Sequence, residues 1–194
     1  MAPRLKIAIV EKDADRARLI VDGLSAAGDY EITVLGDETT ITRRLAQLDP
    51  DVVLIDIANP SRDSLEMLSI ASGAKERPVA MFVDRSDDET TRAAIEAGLS
   101  AYVVDGLAPA RIKPVMDAAI ARFNMVSQMK SELEAVKSAL AERKIVDRAK
   151  GLLMQARGIS EDEAYTLLRK TAMDQGRKVV DVAQALVTAA ELLK

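Results

Sequence analysis

The chain has no cysteine, no histidine and no tryptophan, and aromatic residues make up only 3% of its 194 positions. The absence of cysteine rules out disulfides and thiolate metal sites and fits a reducing compartment. Without histidine there are no serine-histidine or cysteine-histidine nucleophile pairs, no imidazole bases and no ordinary zinc sites. Any chemistry therefore falls to carboxylates, hydroxyls and lysines. Leu, Ile, Val, Ala and Met must fill the core of a chain whose hydrophobic share is 48%, a composition that suits helices packed on a parallel sheet. No apolar run is long enough to span a bilayer. Residues 1–6 pass into a strand pattern without the cationic and apolar regions of a secretory leader, so the sequence reads as a cytoplasmic, soluble protein without membrane contact.

The net charge of −4 conceals an asymmetry. Residues 141–180 hold nine Lys/Arg against six Asp/Glu, while the remainder of the chain is strongly acidic. A polyanion is repelled by most of the molecule and attracted to that one region, although a solvated helix surface would carry a similar small excess.

At this length, one medium and one small domain are expected. The first ~125 residues alternate short apolar runs with amphipathic stretches. Strands are predicted at Leu5 to Val10, Tyr30 to Leu35, Val52 to Ile57, Val79 to Val83 and Ala101 to Val104. Helices are predicted at Arg16 to Ala27, Thr40 to Leu48, Ser64 to Ala71 and Asp88 to Ala97. Right-handed crossovers then give a five-stranded, parallel, doubly wound α/β sheet with helices on both faces.

From Pro109 onward the pattern is helical. Ile112, Ala119, Val126, Leu133 and Leu140 fall on one heptad position and Val115, Arg122, Met129 and Val136 on another. The segment 126–140, with Val126, Met129, Leu133, Val136 and Leu140, is the clean part: a coiled-coil connector suited to a homodimer aided by a second contact. Gly158 marks a helix stop, and Ser160 with Glu163 has the spacing of a capping box. Ala164, Leu167, Leu168 and Ala172 form the apolar face of the next helix. A last helix starting near Asp181 is expected to bury Val182, Ala185, Leu186 and Leu192 or Leu193. Domains are thus expected at 1–125, 126–140 and 141–194, the last all-α with three helices.

In an open α/β sheet, function gathers at the carboxyl ends of the strands. Glu11, Lys12 and Asp13 follow the first strand, Asp56 lies in the third, Asp84 follows the fourth and Asp105 the fifth. Such a group suits a divalent cation or a phosphoryl-accepting carboxylate; singly, each is equally an ordinary polar strand end. Ile7-Ala8-Ile9-Val10-Glu11-Lys12, Val53-Leu54-Ile55-Asp56, Pro78 to Val83 and Ala97 to Asp105 resemble a response-regulator receiver domain over residues 5–125. The resemblance implies that Asp56 occupies the phospho-acceptor position. It also implies departures: one magnesium-holding acid is replaced by Lys12, the lysine after the fifth strand by Asp105, and the hydroxyl after the fourth by Val83 or Asp84, with Ser86 beyond. Phosphoryl transfer needs cations on the equatorial oxygens, so Asp56 is expected to be a poor acceptor with Lys12 as its standing partner. No metal, cofactor or catalytic residue is expected, and the chain reads as a non-enzyme.

The tail combines cations (Arg143, Lys144, Arg148, Lys150) with Leu152-Leu153-Met154. Gly151 costs about 1 kcal/mol in a helix interior relative to Ala, which suggests a close approach there. Tyr165 either stacks on a base or packs between helices, packing being favoured by periodicity alone. Ala141 to Met154, Ser160, Glu163-Ala164-Tyr165, Leu168-Arg169 and Ala172-Met173 resemble the ANTAR domain over about residues 130–194. That resemblance implies dimers that bind paired hairpins in leader RNA and favour transcription antitermination. Arg148, Lys150, Tyr165, Arg169 and Lys170 are the candidate RNA face, with Arg143, Lys144, Arg177 and Lys178 as peripheral phosphate contacts. The domain order, Asp105-Gly106 and the Met81 to Ser86 run are similar to NasT-type regulators of nitrate and nitrite assimilation. This implies control by a nitrate- or nitrite-sensing protein partner. The alternative is a phosphorylation-dependent regulator acting through protein contacts or DNA.

Overall fold

The computed structural model describes residues 4–36, 40–105 and 107–192. Gly106 and Leu193, used in the sequence reading, lie outside them. The chain forms two compact units, Met1–Ser127 and Gln128–Lys194.

In the first unit, β1 (Leu5–Val10), α1 (Ala14–Ala27), β2 (Tyr30–Leu35), α2 (Ile41–Leu48), β3 (Val52–Ile57), α3 (Arg62–Ser72), β4 (Val79–Val83), α4 (Asp88–Glu96) and β5 (Ala101–Val104) alternate. They lead into α5 (Pro109–Arg157). All strand pairs are parallel, in the order β2-β1-β3-β4-β5, so strand order reverses between β1 and β3. That switch point leaves a crevice at the strand ends.

The two sheet faces carry separate cores because side chains alternate along each strand. Val10, Val53, Ile55, Met81 and Val83 pack with Ile41 and Leu45 of α2, Leu65 and Leu68 of α3 and Ala94 of α4. On the other face Ile7, Ile9, Leu54 and Phe82 pack with Ile20 and Leu24 of α1 and Ile112, Met116 and Ala119 of α5. Central strands buried on both faces account for near-continuous apolar runs such as Val52-Val53-Leu54-Ile55. Gly23 permits close packing of α1 on the start of α5: a Cβ there would lie 3.0 Å from Ile112 Cδ1 and 3.1 Å from Pro109 Cα.

This arrangement corrects the heptad reading. Ile112 and Ala119 are fully buried beneath the sheet and contribute to the α/β core instead of a coiled-coil seam. From Val126 onward the same helix turns its apolar positions outward, with Met129, Leu133, Val136 and Leu140 all more than half exposed.

The second unit packs the later part of α5 against α6 (Glu161–Asp174) and α7 (Val179–Leu192). Gly158 follows the end of α5 with φ of +66°, the left-handed conformation that glycine adopts without penalty. Ser160 accepts from Glu163 N while the Glu163 carboxylate accepts from Ser160 N, forming the expected capping box. Ala149, Leu168, Ala183 and Val187 form the centre, with Ile145, Leu152, Leu153, Val182 and Leu186 around it. The expected face of α7 is therefore off by one position. Small Ala183 takes the most buried place and bulkier Val182 and Leu186 flank it, while Ala185 is exposed and Leu192 is 82% exposed.

Candidate functional sites: a carboxylate cluster and a groove around Tyr165

At the carboxyl ends of the strands, β3 presents Asp56 with its side chain fully buried. Its neighbour across the switch point is Glu11, also buried. Asp13 caps α1, accepting from Asp15 N and Arg16 N. The first turn of α1 thereby aims Arg16 back over the sheet edge. The Arg16 guanidinium grips Asp56 through Nε to Oδ2 (2.7 Å) and Nη2 to Oδ1 (2.8 Å). The same group donates to Asp84 through Nη1 (3.1 Å) and Nη2 (2.9 Å). Glu11 Oε2 lies 3.6 Å from Arg16 Nε, and Glu11 Oε1 accepts from Asp13 N at 2.7 Å.

These contacts fix the electrostatics. Burial raises the Glu11 carboxyl to about 7; its hydrogen bond with Asp56 and repulsion from that carboxylate add to the effect, while the Asp13 amide and Arg16 oppose it. Arg16 is held even more firmly protonated than a free arginine, chiefly through its hydrogen bonds to Asp56 and Asp84.

Two expectations are corrected here. Lys12 is exposed, and among the described residues Arg16 is the cation paired with Asp56. A side chain one helical turn beyond the Asp13 cap reaches the strand ends better than one immediately after β1. Asp105 is exposed with φ of +50°, and only its backbone amide is engaged, donating to Val83 O; it does not join the cluster. Ser86 is likewise committed elsewhere, accepting from Tyr102 Oη at 2.9 Å and sharing a hydrogen bond with Thr91.

Receiver folds ordinarily hold magnesium at this crevice, and the residues here do not fit it. Such an ion binds through close oxygen contacts in near-octahedral geometry, yet the Asp56 oxygens already face a guanidinium. No cluster of three or more acidic residues able to hold a metal occurs among the described residues.

In the second unit an open groove of about 820 Å³ runs between α5, α6 and the start of α7; its lining includes Tyr165, Gly151 and Met154, the cations Arg143, Lys150 and Lys178, and the acids Glu142, Asp147 and Glu161. Tyr165 is 46% exposed, so it is not the interhelical packing residue that periodicity favoured. Nothing lies within 4 Å of a Cβ placed on Gly151, which corrects the expectation of a close approach within the chain: the glycine leaves the groove floor open. Lys150 spans Asp147 Oδ1 (2.6 Å) and Glu161 Oε1 (2.7 Å) and is only 14% exposed. The hydrogen bond to Asp147 is the main cause that raises its pKa, and the same bond lowers that of Asp147.

The remaining sequence candidates do not share one face. Arg148 lies on the side of α7, its Nη2 2.7 Å from Glu191 Oε1. Its offset of two residues from Lys150 places it on the far side of a helix with 3.6 residues per turn. Arg169 is exposed one turn beyond Tyr165 on α6. Lys144 and Lys170 are exposed outside the groove, and Arg177 lines a separate one with Asp181 and Gln184. Met154, one of the apolar residues following the cations in sequence, is partly exposed in the groove, and Met173 is largely exposed.

Fold and sites together give a receiver-like N-terminal unit, with its carboxylates at the strand ends, followed by an all-helical C-terminal unit. Residues 134–187, within the helical C-terminal unit, match the ANTAR domain. The transcriptional regulatory protein PdtaR of Mycobacterium tuberculosis is 27% identical over 180 residues, covering 92% of this chain and 88% of that protein. The nitrate regulatory protein of Klebsiella oxytoca is 41% identical over 63 residues, covering 32% of this chain and 16% of that protein. The Vibrio cholerae chemotaxis protein CheY4 superposes with a TM-score of 0.52 at 16% identity, covering 60% of this chain and 99% of CheY4. Among the described residues no helix is long and apolar enough to cross a membrane.

Proposed function

We propose that this protein is a cytoplasmic transcription antitermination regulator whose ANTAR unit binds hairpins in leader RNA. The observation that carries the reading is the groove in which an exposed Tyr165 ring stands beside Arg143, Lys150 and Lys178 above the open backbone of Gly151. Hairpin loops offer unstacked bases, whereas the groove of an RNA duplex admits few side chains. An aromatic ring takes a base by stacking and the cations take the adjoining phosphates. Arg169 extends this surface along α6. Arg148, paired with Glu191, serves the helical packing first. No catalytic residue enters this reading.

The active form is a homodimer through the exposed stripe Val126, Met129, Leu133, Val136 and Leu140. On the heptad, Glu132 falls at a g position and Lys137 at the following e position. A parallel pair sets Glu132 against Lys137 of a second copy, whereas an antiparallel pair sets lysine against lysine. Nitrate and nitrite assimilation genes as targets, and a nitrate-sensing protein as the partner governing the receiver-like unit, draw support from the similarity to the nitrate regulatory protein.

Filter binding of a leader hairpin, a scrambled hairpin and duplex DNA across a salt series tests the reading. Selective binding to the leader hairpin that weakens with salt is expected. Equal binding to the scrambled hairpin removes sequence recognition, preference for duplex DNA favours a DNA-binding regulator, and no binding favours a protein-contact role.

A further inference from the structure

We infer that Arg16 is a built-in counter-cation that replaces both the metal ion and the phosphoryl group of a receiver site, closing Asp56 to phosphorylation and tying the ends of β3 and β4 to α1 without any ligand. Three observations carry this. First, both oxygens of Asp56 are engaged by a forked pair of hydrogen bonds from one guanidinium, at 2.7 and 2.8 Å, with the Asp56 side chain fully buried. An attacking carboxylate oxygen would have to leave this fork before it could meet a phosphoryl donor. Second, the same guanidinium reaches Asp84 at 2.9 and 3.1 Å; one side chain thus bridges the strand ends that a bound phosphoryl group and its metal would otherwise link. Third, the groups that would stabilise a transferring phosphoryl group do not engage Asp56: Lys12 is exposed at the rim of the crevice and forms no ion pair with it among the described residues, Ser86 bonds with Tyr102 and Thr91, and an acid, Asp105, follows β5.

Arginine suits this task because its planar fork matches carboxylates two at a time and its charge persists at all accessible pH. A buried carboxylate deprived of such a partner is strongly destabilising, whereas removing both partners is far less so. The inference rests on the carboxylate cluster alone and is independent of the RNA reading.

The test uses the full-length protein. In its first arm the wild type is incubated with magnesium and acetyl phosphate and examined by intact mass, then melted with and without magnesium. No phosphoryl adduct and no magnesium-dependent change in Tm are expected; a stable adduct on Asp56, or stabilisation by magnesium, overturns the inference. In its second arm Arg16→Ala, Asp56→Asn and the double variant are melted together. Arg16→Ala is expected to lose on the order of 10 °C, and the double variant to recover part of that loss. An Arg16→Ala variant melting with the wild type, or losses that simply add, overturns it. Should Arg16→Ala fail to fold, the wild-type arm decides.

Discussion

Glu11 is the residue whose protonation most directly reports on the carboxylate cluster. Its folded pKa of about 7 stands above the ordinary 4.5, so the folded state holds the proton more tightly than the unfolded chain. The stability that Glu11 contributes is therefore fully present below about pH 4.5 and is lost as pH rises through about 7. The chain has no histidine, so apart from the α-amino group no other side chain ordinarily titrates between pH 5 and 8. Melting the wild type and Glu11→Gln at pH 5 and pH 8 should give a variant whose stability relative to wild type increases with pH; parallel curves would contradict the assignment. Gly23 offers a packing test. Alanine gains about 1 kcal/mol of helix propensity there but its Cβ meets Ile112 and the Pro109 backbone at 3.0–3.2 Å. A net loss of about 1 kcal/mol in urea unfolding is expected. Asp56 and Glu11 were legible from their places at strand ends. Arg16 was not, because its role depends on where the Asp13 cap aims the first turn of α1. The available signal was a buried aspartate in need of a cation, with an arginine one turn into the helix that follows the neighbouring strand β1.

The strands are the elements written most plainly in the sequence. All five predicted ranges coincide with the observed ones, because strands buried on both faces appear as uninterrupted apolar runs closed by polar residues. Helix starts were legible where caps exist, as at Ser160. Ser160→Ala removes one half of a reciprocal cap and should cost about 1 kcal/mol, measured as a lower midpoint of thermal unfolding monitored by circular dichroism. The inner face of α7 was misread because close helix approach selects alanine over leucine, a choice that hydrophobicity alone does not reveal. The heptad pattern of α5 was continuous in sequence yet serves two purposes, core up to Ala119 and exposed stripe from Val126. Replacing Val136, well exposed at the middle of that stripe, by glutamate should shift a dimer to monomer in sedimentation equilibrium without lowering the protomer's melting temperature.

For the molecule as a whole, the division of labour follows the division of charge. An acidic α/β unit holds a self-satisfied carboxylate cluster, and the cationic excess is confined to residues 141–180. The composition made this contrast visible. It could not reveal that Arg148 and Lys150 lie on different sides of α5, that the groove cations Arg143 and Lys150 both face Asp147, or that Tyr165 stands exposed among them. The central claim is that this groove takes an RNA loop base on Tyr165. Fluorescence anisotropy at fixed salt, using a leader hairpin recovered with the protein from nitrate-grown cells, compares wild type with Tyr165→Ala. Loss of stacking should raise Kd by about 5- to 150-fold, the equivalent of about 1–3 kcal/mol, with the salt dependence unchanged because no phosphate contact is removed. An unchanged Kd for Tyr165→Ala would contradict the account.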